Sequence, residues 1–386
     1  MEYIMRQNLI FLGGEDVSSR IEISKKFMEL GYNINIIGTE KEDKFIKNGI
    51  NYQKYNFSRE FTIFDDLKSI IKLRNILKEQ PDNTIVHAFD TKPTLFLPFA
   101  SFGLDNIKVS RTITGMGRIF TEESIKNRVL KRVYNTLQKG IKSKVDFTVF
   151  QNSDDAKYFD DKSLTSENKS TIVKSSGIDL KKFTTSIDKK KVERLKNELN
   201  INRNRKTFIL VSRMVKQKGI LTYLKSAKIC HQEGYKYNFL LVGQLDTDKS
   251  ITLEEIQEYS KYVKYLGRRE DIKELLALSD IFVLPTYYRE GVPRVLLEAS
   301  AMGLGLITTN MPGCKDVVID EYNGKLISIK SERDLASKMI YMAEDKKLDI
   351  YKQNSQKKVK EFDLGVVVQG YDKVYKRIQN VESTTI

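Results

Sequence analysis

Two glutamates eight positions apart, Glu290 and Glu298, are the residues of this sequence whose type and spacing most clearly indicate a ligand-binding site. They lie in the segment REGVPRVLLEASAMG, after the apolar strand pattern DIFVLP. Pro293 suits the first position of a helix, where the first-turn amides lack partners. These amides belong to Arg294, Val295 and Leu296. Such amides at the positive end of a helix dipole bind a diphosphate, and Glu298, inside the helix, can accept hydrogen bonds from a ribose diol.

A second group of candidate residues is the basic pair Arg213 and Lys218 in the segment VSRMVKQKG, which also follows an apolar strand pattern. An arginine can fork onto two phosphate oxygens and a lysine adds a point charge, so the pair suits a diphosphate. Glu290, in the loop before the helix, would reach another part of the same extended ligand. Taken singly, each of these residues could be an ordinary solvated surface residue. Together they predict a site for a nucleoside diphosphate.

The elements that must position these residues alternate between strands and amphipathic helices, a pattern typical of doubly wound parallel α/β sheets. In the first half of the chain, strands are predicted at 8–14, 33–38, 84–89, 107–114 and 146–151. In the second half, strands are predicted at 206–212, 237–243, 263–267, 280–285 and 305–309. The sequence therefore predicts two Rossmann-like domains that face each other across a cleft, with ligands beyond the carboxyl ends of the strands.

The predicted domain limits follow from the polar stretch 179–206, which contains three consecutive lysines and separates the two runs of strands. We interpret this stretch as the interdomain connection. The N-terminal domain is predicted at 1–178 and the nucleotide-binding domain at 179–365. Residues 366–386 are predicted to form a C-terminal helix that crosses back to the N-terminal domain.

The composition restricts the class of protein. The formal net charge of +15 comes mostly from residues 101–150, with 10 basic against 4 acidic residues, and from 201–250, with 10 against 3. Such clustering indicates an anionic partner (nucleic acid, a phosphorylated ligand or anionic lipid), unless it reflects solvated lysine-rich faces. No apolar run reaches the roughly 18 residues that cross a bilayer, and the start lacks a signal peptide's basic region. Two cysteines exclude a disulfide framework and two histidines exclude a three-histidine metal site, so we expect a soluble cytoplasmic protein.

In order and spacing, these residues resemble the retaining nucleotide-sugar glycosyltransferases of family 4, which have the GT-B fold of two Rossmann-like domains. The resemblance covers nearly the whole chain. Beside the basic pair, it includes the glycine-rich turn at Gly13 and Gly14, SSGIDLKKF at 175–183, and LGRREDIKELLALSDIFVLPTYYREGVPRVLLEA at 266–299. Glu290 and Glu298 form the family's E-x7-E signature.

The resemblance implies a donor site. Its residues would be Gly14, Arg213, Lys218, Arg268, Glu290 and Glu298, with the amides of residues 294–296. Arg213 and Lys218 would bind the donor diphosphate and act in catalysis. Glu298 would bind the ribose hydroxyls, and the backbone around Arg268 would contact the base. Glu290 would lie near the donor sugar and act in catalysis. The resemblance further implies a retaining hexosyltransferase that needs neither a metal nor a cofactor.

Two further segments, RTITGMGRIF at 111–120 and MPGCKDVV at 311–318, resemble a narrower bacterial subgroup. That subgroup builds capsule, O-antigen or protein-glycan repeat units on undecaprenyl diphosphate, usually from UDP-sugars that are often N-acetylated. The resemblance therefore implies transfer of an N-acetylated hexose or a deoxyhexose from a UDP-sugar to a saccharide linked to undecaprenyl diphosphate, with retention at the anomeric carbon.

One position departs from the family. Many members carry a histidine in the loop after the strand at 107–114, near the transferred sugar, where this chain has Gly115. His87, at the end of the strand TIVHAF, is then the histidine placed for a catalytic role, as a hydrogen-bond partner of the donor sugar or of a phosphate. The alternative is a structural histidine.

The basic segment 122–143 has an apolar row with a period of four. The row consists of Ile125, Val129, Val133, Leu137 and Ile141. Arg128, Lys131 and Arg132 lie off the row, so this helix would rest on the anionic inner leaflet of the cell membrane, each basic residue adding about 1 kcal/mol. Arg111 and Arg118 would then meet the diphosphate of the acceptor. The alternative is a helix that packs on the sheet.

Other motifs and rival functions fit less well. Asp246 and Asp248 form the D-x-D of the other large glycosyltransferase fold, but the two-domain pattern argues against a metal there. No histidine follows Cys314 to activate its thiol.

An oxidoreductase would need G-x-G-x-x-G, which LGGEDVSS lacks. A GT-B sugar-nucleotide epimerase and a basic nucleic-acid-binding Rossmann protein stay open as alternatives, although the second explains only the charge, and we expect no nucleic-acid partner.

Overall fold

The computed structural model describes residues 7–14, 16–57, 62–121, 123–184, 187–245 and 251–380, without the side chains of Ile63 and Arg118. The chain divides into two compact units. The first comprises Met1–Gly177 together with Leu364–Ile386, and the second comprises Ile178–Asp363. No helix in the described ranges is long and apolar enough to cross a membrane.

The first unit is built on a parallel sheet of seven strands in the order β3-β2-β1-β4-β5-β6-β7. The strands are β1 Asn8–Leu12, β2 Asn33–Gly38, β3 Asn51–Lys54, β4 Thr84–Ala88, β5 Ile107–Ile113, β6 Phe147–Phe150 and β7 Ser170–Ile172. The helices between them are α1 Ile21–Glu29, α2 Asp43–Ile46, α3 Ile63–Lys78, α4 Thr91–Ala100, α5 Ile125–Ile141 and α6 Ser153–Asp161. The prediction missed the edge strands β3 and β7 because they are short and partly exposed and therefore lack an apolar run.

The second unit is built on a parallel sheet of six strands in the order β10-β9-β8-β11-β12-β13. The strands are β8 Thr207–Val211, β9 Asn238–Val242, β10 Lys264–Tyr265, β11 Ile281–Leu284, β12 Gly305–Thr309 and β13 Gly324–Ile327. The helices are α7 Lys189–Glu198, α8 Ile220–Gln232, α9 Leu253–Gln257, α10 Ile272–Ala277, α11 Arg294–Ala301, α12 Cys314–Val317, α13 Glu332–Glu344 and α14 Leu348–Lys358. Alternate residues of β8 enter the apolar clusters on opposite faces of the sheet, as expected for a strand covered on both sides.

The stretch 179–206 is not a connection between the units, and that interpretation was wrong. It contains α7, whose Leu195 is buried in the core of the second unit, as is Leu199 just after it. The three lysines that suggested a linker begin this helix, and the Asp188 side chain caps it by accepting a hydrogen bond from the amide of Lys190 at 2.9 Å. An amphipathic helix with a charged outer face has the composition of a linker but buries two leucines.

The last helix, α15, spans Leu364–Asn380 and belongs to the first unit. Its residues Val367, Tyr371 and Tyr375 are buried in the same apolar cluster as β1 and α1. The hydroxyl of Tyr32 donates a hydrogen bond to Asp372 at 2.7 Å. The first unit is therefore assembled from two segments of the chain that are separated by the whole second unit.

Candidate functional site

The candidate site in the second unit is built from two loops that follow neighbouring strands. β8 and β11 are paired in parallel, so both chains leave the sheet at its carboxyl edge. After β8 the chain forms a 3-10 helix, Lys216–Lys218, and then enters α8. After β11 the loop at 285–293 leads into α11.

The two loops are joined by an ion pair between Lys218 and Glu290. The Lys218 Nζ lies 2.8 Å from both carboxylate oxygens of Glu290. The side chains are only 14% and 19% exposed. Partial burial strengthens the pair compared with one in open water, because solvent screens it less. The fold thus brings together two predicted site residues that are 72 positions apart in the chain.

Backbone contacts hold these two loops in place. Gly219 has φ +75°, and a Cβ there would lie 2.0 Å from the carbonyl oxygen of Pro285, so the close approach requires glycine. The hydroxyl of Thr286 and the amide of Tyr287 both donate to the carbonyl of Gln217, at 3.1 and 2.9 Å. Sequence reasoning did not single out Thr286, although its position directly after the strand pattern DIFVLP could have indicated a residue of the site.

The segment MPGCKDVV packs beside the Glu290 loop. A Cβ on Gly313, where φ is +77°, would lie 1.7 Å from the carbonyl oxygen of Gly291. The next residue, Cys314, begins α12 and is fully buried. Burial raises the pKa of its thiol to about 12, with Glu290 adding to the shift. The thiol is therefore protonated at neutral pH and is not an activated nucleophile.

Glu298 lies inside α11, as the spacing predicted, and its side chain is 13% exposed. Burial raises the pKa of its carboxyl above the usual value, while Arg294 opposes the shift. The Arg294 Nε donates to the Glu298 carboxylate at 3.1 Å. Pro293 is the N-cap rather than the first helical residue, and the amide of Leu296 donates back to its carbonyl at 3.1 Å. The side chains of Leu296 and Val295 contribute to the core.

The remaining predicted donor residues lie in loops that follow strands. Arg213 follows β8 and is exposed, and Arg268 is exposed in the loop between β10 and α10. In the first unit, the amide of Gly14 donates to the Asp90 carboxylate at 2.9 Å, across the carboxyl ends of the paired strands β1 and β4. Asp90 has φ +67°, which is unusual for a residue other than glycine, and sequence reasoning missed it.

The prediction that His87 contacts a donor sugar or phosphate is wrong for this structure. Its ring is fully buried, forms a 2.7 Å hydrogen bond with the Thr112 hydroxyl, and packs against Phe89, Tyr371 and Tyr375. Burial lowers the pKa of the ring well below its usual value, with a smaller contribution from a nearby arginine, so the ring is neutral. Its strand-end position suggested a ligand contact, but α15, which is distant in sequence, covers the ring.

The prediction that Arg111 meets an acceptor diphosphate is also wrong for this structure. Arg111 is fully buried and donates to Gln138 at 2.6 Å and to Thr148 at 3.2 Å. Burial lowers the pKa of its guanidinium to about 10, which still leaves it charged at neutral pH. Arg118 begins a 3-10 helix, and its side chain lies outside the described residues.

Helix α5 has its polar side against the domain and its apolar row facing outward. Ile125, Val129, Val133 and Leu137 are 39–81% exposed. Within the described part of the chain, Ile141 is the one member of the predicted row that is buried. A sheet-packing helix would bury this row, so that alternative is wrong.

The inward side of α5 is held by polar contacts. The Asn135 amide donates to the hydroxyl of Tyr158 at 2.9 Å, and Gln138 accepts from Arg111. Lys131 is half-buried with its Nζ 5.6 Å from the ring centre of Phe120, whereas Arg128 and Arg132 are exposed.

A metal site is not evident in the part of the chain that the structure covers. No group of three or more His, Cys, Asp or Glu residues could hold an ion there. The D-x-D residues Asp246 and Asp248 lie outside the described residues.

Comparison with known proteins bears on family and fold. The profile of the family described as Glycosyl transferases group 1 matches residues 191–359. Over 333 residues the chain is 30% identical to the N,N'-diacetylbacillosaminyl-diphospho-undecaprenol alpha-1,3-N-acetylgalactosaminyltransferase of Campylobacter jejuni subsp. jejuni, covering 86% of each protein. It is 28% identical to the UDP-Gal:alpha-D-GlcNAc-diphosphoundecaprenol alpha-1,3-galactosyltransferase of Escherichia coli, over 85% of this chain and 81% of the relative.

The crystal structure of Anabaena Alr3699/HepE in complex with UDP is similar along nearly the full length. The TM-score is 0.78 at 16% identity, covering 96% of this chain and 100% of that one. At this identity the likeness concerns the fold, and the predicted GT-B class of two Rossmann-like domains is confirmed.

Proposed function

Because the chain belongs to the Glycosyl transferases group 1 family, we propose that it transfers a sugar from a UDP-sugar to a saccharide carried on undecaprenyl diphosphate, in the assembly of a surface polysaccharide such as a capsule. The names of both relatives describe acceptors on undecaprenol diphosphate. One relative is an N-acetylgalactosaminyltransferase, which supports an N-acetylated donor sugar. The E. coli relative uses UDP-Gal, which supports UDP as the nucleotide.

The observation that carries the proposal is the Lys218–Glu290 ion pair at the carboxyl edge of the sheet, in the unit that also holds Glu298. In the proposed complex, the donor diphosphate competes with Glu290 for the ammonium group of Lys218. Glu290 is then released toward the donor sugar, while Arg213 forks onto the phosphates. Glu298 accepts hydrogen bonds from the ribose hydroxyls in place of the one from Arg294.

The proposed reaction has a transition state with positive charge on the sugar ring and growing negative charge on the departing UDP. Cations fixed before the reaction begins stabilise that charge without reorganising, and in our proposal Arg213 and Lys218 take the part a divalent metal plays elsewhere. The acceptor hydroxyl attacks from the face that UDP leaves, and a phosphate oxygen takes its proton. The anomeric configuration is thereby retained.

The acceptor is anchored in a membrane, so the enzyme would work at the inner face of the cell membrane as a peripheral protein. The outward apolar row of α5 supports this proposal, because large apolar side chains rarely form such a row on a surface exposed only to water. Arg128 and Arg132 flank the row and are exposed, which suits an anionic leaflet. In this arrangement the row enters the interface and the arginines contact lipid headgroups.

The donor assignment is tested by calorimetric titration of UDP, GDP and NAD into the purified chain. We expect UDP to bind, and Lys218→Ala and Glu298→Ala each to weaken it tenfold or more, about 1.4 kcal/mol. Lys216→Ala is the matched control, since Lys216 is an exposed lysine of the same 3-10 helix. Failure to bind UDP would overturn the donor, and unchanged binding in both variants would overturn the site.

Transfer is tested with UDP-N-acetylgalactosamine and synthetic undecaprenyl-diphosphate saccharides, with the anomeric configuration of the product read by NMR. We expect an α-linked product from an α-linked donor, formed in the presence of a chelator. Conversion of the UDP-sugar without any acceptor would contradict a transferase and favour an epimerase.

A further inference from the structure

A second recess in the second unit lies at the opposite edge of the sheet from the candidate donor site. Arg205, Tyr237 and Tyr262 line it, and they precede the strands β8, β9 and β10. The donor-site loop begins after the other end of β8, a strand whose five residues span roughly 16 Å. The two sites are therefore separated by the length of the strands.

The recess is lined by four basic side chains and no carboxylate. The basic residues are Arg205, His231, Lys236 and Lys261. Within the described ranges, none of the four has an ion-pair partner, whereas the neighbouring Arg203 pairs with Glu193 and Lys206 with Asp280. The carboxylate beside the recess, Glu344, is engaged by the hydroxyl of Tyr237 at 2.8 Å. The recess therefore presents basic groups that no neighbouring carboxylate of the described chain pairs with.

Aromatic rings form the other part of the lining. Tyr235 and Tyr237 are stacked with 6.0 Å between ring centres and 20° between ring planes. The ring of His231 meets the ring of Tyr262 edge-on at 5.2 Å. Tyr235 is 36% exposed, so part of this aromatic side chain is accessible to a ligand.

Size and chemistry together identify a class of ligand. The recess has a volume of about 300 Å³, which is the lower limit for small-molecule sites. Basic side chains without an ion-pair partner recognise a phosphate, and aromatic rings pack on a ring of the ligand. We propose that this recess binds a small phosphomonoester of a ring compound, a sugar phosphate or a nucleoside monophosphate, separately from the donor site.

The test is calorimetric titration of the full chain with glucose 1-phosphate and with UMP, which distinguish the two sources of the phosphomonoester. We expect at least one to bind, with tenfold or greater loss in the double variant Arg205→Ala/Lys261→Ala and in Tyr235→Ala. Lys357→Ala, an exposed lysine of α14, is the matched control. Circular dichroism melting shows whether each variant is folded, and Lys261→Glu offers a second variant at the same place.

The donor-site variant Lys218→Ala separates this proposal from the proposed function, because it should retain binding at the recess. Glucose and inorganic phosphate are the two partial ligands, and each should bind at least tenfold more weakly than the phosphomonoester. Absence of binding for both phosphomonoesters, or binding that the recess variants do not change, would overturn the proposal. Equal binding of inorganic phosphate with no effect of Tyr235→Ala would also overturn it, because the rings would then play no part.

Discussion

Glu298 is a carboxylate with little access to water and one arginine partner, and this environment alters its chemistry. A charged acceptor makes hydrogen bonds worth about 1.5–3 kcal/mol, so losing the charge should be measurable. We predict that Glu298→Gln weakens UDP binding tenfold or more.

The same residue should give UDP binding a dependence on pH. Burial raises the pKa of the Glu298 carboxyl, so it takes up a proton at a higher pH than an ordinary glutamate. The protonated carboxyl is a weaker acceptor of hydrogen bonds from the ribose hydroxyls. The affinity for UDP should therefore fall as the pH is lowered through that raised pKa. Titrations at a series of pH values check this. Glu270→Gln, at an exposed glutamate, is the control and should keep the fall in UDP affinity at low pH. If Glu298→Gln also keeps that fall, the assignment to Glu298 is wrong.

Gly219 is a residue whose role is steric. We predict that Gly219→Ala destabilises the second unit, because the new Cβ meets the carbonyl of Pro285 and φ is positive. Gly234→Ala is the matched control, since Gly234 also has positive φ but open space around it. The control carries the conformational cost of about 1–2 kcal/mol, and Gly219→Ala should cost at least about 1 kcal/mol more. Urea unfolding measures both, and equal values would show that the close approach does not matter.

At the scale of elements, α5 is unusual because its polar side is its inner side. Buried Arg111 and Gln138 form one of the polar contacts that fasten it. Because these hydrogen-bonding groups face the domain, four of the five side chains of the apolar row are left 39–81% exposed. The orientation of the helix, more than its charge, supports the membrane proposal.

We predict that the double variant Val129→Asp/Val133→Asp abolishes sedimentation with vesicles containing anionic lipid. Burying a valine side chain contributes about 1.5 kcal/mol. Replacing two such valines by charged aspartates should therefore lower the partitioning of the protein onto vesicles more than tenfold. Val366→Asp, on α15 of the same unit, is the matched control with similar exposure. The double variant should keep UDP affinity, since α5 is not part of the second unit. Vesicle binding that survives the double variant would exclude this face as the contact.

At the scale of the whole molecule, the first unit depends on a segment that follows the second. Val367, Tyr371 and Tyr375 of α15 complete its core, so residues 1–177 alone lack part of their apolar cluster. We predict that residues 178–363 expressed alone unfold cooperatively on heating, whereas residues 1–177 alone do not. Adding residues 364–386 to residues 1–177 through a flexible linker should restore cooperative unfolding. Calorimetry of the three chains distinguishes these outcomes, and a cooperative transition in 1–177 alone would contradict the prediction.

The sequence by itself determined the two Rossmann-like sheets, because buried parallel strands are apolar runs and each is followed by an amphipathic helix. It also determined the candidates Lys218, Glu290 and Glu298, since residues at the ends of such strands share one edge of a sheet. Position along the chain was sufficient for these predictions because they depend on local periodicity and on the parallel order of the strands.

Tertiary structure alone decided which polar residues reach solvent. His87 and Arg111 lie on strands whose pattern does not reveal what packs above them, and α15 and α5 cover them. The apolar row of α5 was visible in the sequence, but periodicity specifies that a helix has an apolar side and not the direction in which that side faces. That direction depends on the Gln138 and Asn135 contacts with residues on other elements. Burial is a property of non-local packing, and a single sequence records only local order.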